Sequence, residues 1–172
     1  MKERENLFVP GKLGYVQGVR PQVDCILCAA HRREPGVDNL LVYESSRFFV
    51  TLNLYPYNPG HLMIVPIRHT ETIEDFTQEE SLECFELQKM AMRVLKRMYR
   101  PRGFNLGYNL GDCSGASIPH VHLHVVPRYH KELGFMDVIN GARIIVEDPI
   151  RIRERMIEAF ALEALESSQE AR

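Results

Sequence analysis

Three histidines stand at alternate positions in PHVHLHVVPR, the stretch from Pro119 to Arg128, with apolar residues between them. Alternate side chains share a face on a β-strand, whereas a helix turns about 100° per residue and scatters positions two apart. His120, His122 and His124 therefore form a row only if the segment is extended. Val121, Leu123, Val125 and Val126 favour a strand and suit a buried opposite face, and Pro127 is placed to end the pairing. Imidazoles this close repel one another when protonated, which predicts lowered pKa values and neutral rings near pH 7. A neutral imidazole is a nucleophile, a base or a metal ligand. A lone histidine is most often solvated surface, but strict alternation over three positions argues for a site.

A nucleophilic histidine needs one ring nitrogen free to attack while the other holds its proton against a fixed acceptor. The central His122 is best placed for that role. Its neighbours can hydrogen-bond phosphate oxygens or a leaving group. The GDCSGAS loop just upstream offers backbone N–H groups and the hydroxyls of Ser114 and Ser117 to an anion. A second set of chemical groups is Cys25 and Cys28 in CILC, a spacing that supplies two thiolates to tetrahedral zinc but leaves two ligands to be found.

The bulk composition limits what these groups serve. With 21 basic against 23 acidic residues, no excess charge points to nucleic acid or to an anionic membrane, so any phosphate recognition must be local. The opening MKERENLF carries charge where a signal peptide needs an apolar segment, and no run approaches the ~20 apolar residues of a membrane helix. A cytoplasmic location is expected. Four cysteines in a reducing compartment stay unpaired, which favours a metal over a disulfide for Cys25 and Cys28. Cys84 reads as core and Cys113 as a packed loop residue. Arg68, Arg128, His130 and Lys131 could attract a polyphosphate, and either Phe48 or Phe49, alternating on a strand, could line a base slot.

The elements that must position these residues follow from pattern. NLLVYE and RFFVTLN around Ser45 and Ser46 read as a hairpin, HLMIVP as a third strand, FNLGYNLG as a fourth and the histidine row as a fifth. Thr77 and Glu80 stand in capping-box spacing ahead of a helix to Tyr99, with Cys84, Leu87, Ala91, Val94, Leu95 and Met98 on one face; Pro101 and Gly103 stop it. Pro149 suits the first turn of a last helix carrying Ile152, Met156, Ile157, Phe160 and Leu165, with an acidic tail that frays after Leu165. The class is α+β with a mainly antiparallel five-stranded sheet, one long helix and a C-terminal helix. The expected division is an N-terminal arm over 1–24, the domain over 25–148 and the terminal helix and tail over 149–172.

HVHLHVV has the His-x-His-x-His-x-x pattern of the histidine triad superfamily, and the chain is identified as a member by resemblance. NPGHLMIVP resembles the family's Pro-Gly-His strand, placing its fourth active-site histidine at His61. Asn53, eight residues earlier, matches the ribose-binding position; Asn109 and Ser117, eleven and three residues before His120, match the phosphate contacts. LFVPGKLGYV, PYNPGH, RGFNLGYNLG and GFMDVINGARII are similar to the bacterial diadenosine tetraphosphate phosphorylase branch.

The resemblance implies a half-barrel that pairs into a homodimer and cleaves adenosine polyphosphates or nucleoside phosphoramidates through a nucleotidyl-histidine on His122. His124 and His61 would support phosphate and leaving group, and the backbone carbonyl near His120 would orient His122. It implies a structural zinc on Cys25, Cys28, His69 and His120, and no organic cofactor. Ala116 and Ser117 in GAS-x-PH lean toward transfer, whereas His124 leans toward hydrolysis. Two other readings stay open: a zinc hydrolase that uses all three row histidines as ligands, and a nucleotide-binding module without turnover.

Overall fold

The computed structural model describes residues 21–130, 132 and 147–170. The expected arm over 1–24 lies mostly outside them, as does Lys131. Five short strands, β1 (Leu41–Glu44), β2 (Phe48–Leu52), β3 (Leu62–Pro66), β4 (Gly103–Tyr108) and β5 (Leu123–Arg128), form one antiparallel sheet in the order β1-β2-β3-β5-β4. The helices are α1 (Ile26–His31), α2 (Gln78–Tyr99) and α3 (Pro149–Glu170). The expected α+β class and five strands are found. β5 inserts between β3 and β4, which sets His124 opposite Met63 on one side and Gly107 on the other.

The pleat sorts side chains onto two faces. Phe48, Val50 and Leu52 of β2, Leu62 and Ile64 of β3, and Leu123 and Val125 of β5 join one core with α2 and α3. The intervening residues Phe49, Met63 and Val65 form a second, smaller core with Cys25 and Leu27 on the opposite face. His124 alternates with Leu123 and Val125, so it belongs to the face away from the two long helices.

α2 opens on the predicted capping box: Thr77 Oγ1 accepts from the Glu80 N–H at 3.2 Å, and a Glu80 carboxylate oxygen accepts from the Thr77 N–H at 2.9 Å. The same buried carboxylate takes two hydrogen bonds from Arg68, at 2.9 and 3.1 Å, which holds its own pKa below the usual range. A local capping motif thus fixes the residue next to His69. Before His61, Gly60 has φ +76, and a Cβ there would come within 3.0 Å of Leu95 and Tyr99, so the turn admits only glycine without displacing α2.

Several expectations need correction. The strand begins at Leu123, so only His124 of the row lies within it. Pro127 does not end β5 but pairs with Phe104 inside it. Pairing with β3 stops at Val125, so at Pro127 the strand has one neighbour and the missing N–H costs nothing. Phe48 and Phe49 are both fully buried, one in each core, where a single core-facing side chain was expected. Arg68 is engaged by Glu80, and Arg128 by Glu132 and Asn105. α3 does not fray after Leu165 but continues to Glu170. The reason is Glu163, buried where Leu165 is exposed: it receives Arg93 and Arg97, and Arg97 also pairs with Glu166 at 2.6 Å. Apolar periodicity could not foresee a carboxylate anchored from the neighbouring helix.

Candidate active site and metal centre

The row divides between two clusters. His120 and His122 precede the strand, and both are buried. His120 Nδ1 lies 3.3 Å from Cys25 Sγ and 3.4 Å from Cys28 Sγ, while its Nε2 donates to the Pro66 carbonyl at 3.0 Å. His122 Nδ1 donates to the backbone carbonyl of His120 at 2.8 Å. A carbonyl can only accept, so the proton of His122 is fixed on Nδ1 and Nε2 keeps its lone pair. That is the arrangement a histidine nucleophile requires.

A second fixed donor sets the neighbouring rings. The Tyr57 backbone N–H donates to His61 Nδ1 at 3.1 Å, and His61 Nε2 lies 3.0 Å from His124 Nδ1. Because His61 Nδ1 accepts, its proton is on Nε2, which donates to His124 Nδ1 and leaves the His124 proton on Nε2. The His122 and His124 rings sit edge to face, 4.7 Å apart. A bare nitrogen on His122 therefore belongs to a ring packed against one that carries an N–H, His124, an arrangement chemically able to pair a nucleophile with a donor for a phosphoryl or leaving-group oxygen. Asn109 Nδ2 lies 3.4 Å from His124 Nε2; turned by 180°, the same amide presents its oxygen as an acceptor for that ring proton.

All four imidazoles are held below the ordinary histidine value of 6.5: His61 to about 3, His120 and His124 each to about 4, and His122 by direction alone. Neutral rings were predicted from mutual repulsion. Burial is the first cause for every one of them, with neighbouring histidines second for His61, His120 and His124. This gives a sign for stability. The unfolded chain, with histidines near 6.5, takes up protons before folded His61 and His124 do, so their contribution is complete above that pH and is lost as pH falls toward 4. The unfolding temperature is expected to drop by several degrees between about pH 7 and pH 5, and the drop to shrink in His61→Gln. Equal slopes for the two proteins in calorimetry across that range would contradict this assignment.

The other resemblance-derived positions are less closely joined. Asn53 lies in the same loop as Tyr57 and accepts the Tyr55 N–H at 2.8 Å, which orders the loop, while Ser117 is exposed before the row. Sequence reasoning passed over Tyr57, whose N–H sets the tautomers, and Pro66, whose carbonyl orients His120. Neither has a side-chain signature, because both act through the backbone.

The first cluster is the set Cys25, Cys28, His69 and His120, whose ligand atoms all lie within 4.8 Å of one another. Tetrahedral zinc with Zn–S near 2.3 Å and Zn–N near 2.0 Å puts its sulfur and nitrogen ligands about 3.5 Å apart. The separations of 3.3 to 3.5 Å here match. Burial and the adjacent Cys25 push the Cys28 thiol up to about 11, so it ionises only beside a cation. The His120 bond to Pro66 fixes its Nδ1 as the ligand nitrogen. The residues fit zinc. Among the described residues no other His, Cys, Asp or Glu group converges in this way, and His122 and His124 spend their inward nitrogens on His120 and His61. The three row histidines therefore do not form one metal site.

Comparison with known proteins agrees with this fold. The HIT domain family matches residues 34–131. The chain is 45% identical over 109 residues to the AP-4-A phosphorylase of Mycobacterium tuberculosis (strain ATCC 25618 / H37Rv), covering 63% of this chain and 56% of that protein. It is 35% identical over 94 residues to the bis(5'-adenosyl)-triphosphatase of Saccharomyces cerevisiae (strain ATCC 204508 / S288c), covering 54% of this chain and 46% of that one. It thus spans about half the length of the curated relatives it matches. Among solved structures, a Zn-bound histidine triad family protein from Mycobacterium smegmatis superposes with a TM-score of 0.65 at 25% identity, over 84% of this chain and 97% of that one. With the family match extending over more than half its length, from β1 through β5, the chain belongs to the HIT domain family.

Proposed function

We propose that the protein is a nucleotidyl hydrolase or transferase acting on adenosine polyphosphates of the diadenosine tetraphosphate kind, or on nucleoside phosphoramidates, through a covalent nucleotidyl-histidine. The observation that carries this reading is the His122 Nδ1–H bond to the His120 carbonyl, which leaves Nε2 bare beside the His124 N–H. The names of the two curated relatives support the substrate class.

In the first step His122 Nε2 attacks the α-phosphorus. The N–P bond forms, the α–β bridging P–O bond breaks, and His124 Nε2–H steadies the departing oxygen. An acceptor then attacks the same phosphorus, the N–P bond breaks, and His122 is regenerated. Asn53 would hold the ribose, and Asn109 and Ser117 the phosphate. Zinc held by Cys25, Cys28, His69 and His120 would be structural, joining α1 to the β3 and row segments. A homodimer through β4, an edge strand among the described residues, is part of the reading. It is supported by exposed Leu106 on that strand and by exposed Leu82 and Phe85 on α2. A cytoplasmic location suits the four free thiols.

The acceptor decides between the two subclasses. Ser117 stands exposed before the row, able to hold an incoming phosphate beside the nucleotidyl-histidine, and that favours phosphorolysis. Incubated with diadenosine tetraphosphate and phosphate, the protein is expected to release ADP and ATP. Chromatography showing AMP and ATP at saturating phosphate would reject phosphorolysis and keep the covalent mechanism. No adduct and no cleavage of any adenylylated compound would reject the mechanism itself.

A further inference from the structure

One aromatic ring at the site has no part in the chemistry above. Tyr57 stacks on His61 with ring centroids 4.9 Å apart at 27°, and lies 5.9 Å from His124 at 38°. Even so, 56% of the residue is exposed. Its loop is fastened at several points: Asn58 donates to the Pro127 carbonyl at 2.7 Å, the Tyr129 hydroxyl to the Pro59 carbonyl at 2.8 Å, and Tyr57 itself, through its backbone N–H, to His61. The ring is thus set beside the reaction centre with much of its surface open to solvent. An aromatic side chain has few torsions to immobilise, so a planar ligand stacking on it loses little of the gain to ordering.

Position narrows the ligand. Among the described residues, the Tyr57 ring contacts His61 and His124, the two rings that lead to the N–H steadying the departing oxygen, whereas His122 meets the far ring, His124. A planar group stacked on Tyr57 would therefore belong to the leaving portion of the substrate. We propose that Tyr57 is the stacking platform for a second nucleobase, the one carried by the nucleotide that leaves. It makes the protein selective for dinucleoside polyphosphates over mononucleoside polyphosphates of the same length. The inference rests on the nucleotidyl-transfer reading of His122 and names the leaving group of that reaction.

Diadenosine tetraphosphate and adenosine tetraphosphate differ only in the second nucleoside, so the ratio of their kcat/KM values isolates its contribution. Any loss caused by disturbing His61 falls on both substrates and cancels. Base-on-aromatic stacking corresponds to about a tenfold preference, so Tyr57→Ala is expected to reduce the ratio about tenfold, while Tyr57→Phe and Tyr57→Trp preserve it. An unchanged ratio in Tyr57→Ala, with both substrates slowed alike, overturns the proposal and leaves Tyr57 as a support for His61. Calorimetric Kd values for the two compounds, measured with and without Tyr57→Ala in a His122→Ala background, give the same ratio without turnover. A ratio that depends on Tyr57 in binding, with no adduct on His122 in the native protein, would refute transfer but keep the platform. An adduct with a ratio that ignores Tyr57 would do the reverse.

Discussion

His122→Ala is expected to lower turnover of diadenosine tetraphosphate by a factor on the order of 10⁴ or more, with nucleotide binding and fold retained. The size follows from the role. No neighbouring group can replace Nε2, because His124 accepts from His61 at Nδ1 and carries its proton on Nε2, and His120 faces the thiols. The fold survives because the change removes one hydrogen bond, to the His120 carbonyl, and leaves a modest cavity, together about 2–4 kcal/mol for a ring that does not build either main core. Circular dichroism and adenosine monophosphate titration check the fold and binding, and acid-quenched mass spectrometry checks for the adduct on His122 in the native protein. Turnover in the folded variant within tenfold of native would rule out His122 as the nucleophile.

Cys25→Ser is expected to abolish metal binding and to lower the unfolding temperature by about 10 °C or more, from a native content of about one zinc per chain. The loss is large because the cluster is the centre of the second core. Cys25 itself packs with Leu27, Phe49, Met63 and Val65, and His31 stacks on Phe49 at 4.9 Å. His120 links this core to the chemistry: its side chain faces the thiols while its carbonyl holds the proton of His122. Chelation should therefore remove activity in step with unfolding, followed by fluorescence on the same samples. Immediate loss of activity from a still folded protein would instead place the metal in the reaction. Native protein purified without added metal, found metal-free by elemental analysis and as stable as before, would remove zinc from the account.

The sequence by itself determined whatever depends on short-range geometry. Thr77 and Glu80 close a capping box because three residues span one helical turn, and Gly60 permits the turn before His61 because it lacks a Cβ. The spacing of Cys25 and Cys28 and the alternation of three histidines marked two chemistries, and family resemblance supplied His61 and His69 as their partners. Tertiary structure alone decided how those residues divide. His120 leaves the row for the thiols because residues 119–122 precede the strand, so no pleat enforces a shared face. Phe49 is buried because α1 and the Cys25 side of the Cys/His cluster cover the face of the sheet that pattern could not assign. The tautomers of His61, His122 and His124 were out of reach of sequence for a related reason. Each is set, directly or through the next ring, by a backbone N–H or C=O, and those groups are the same at every residue until the fold aims them.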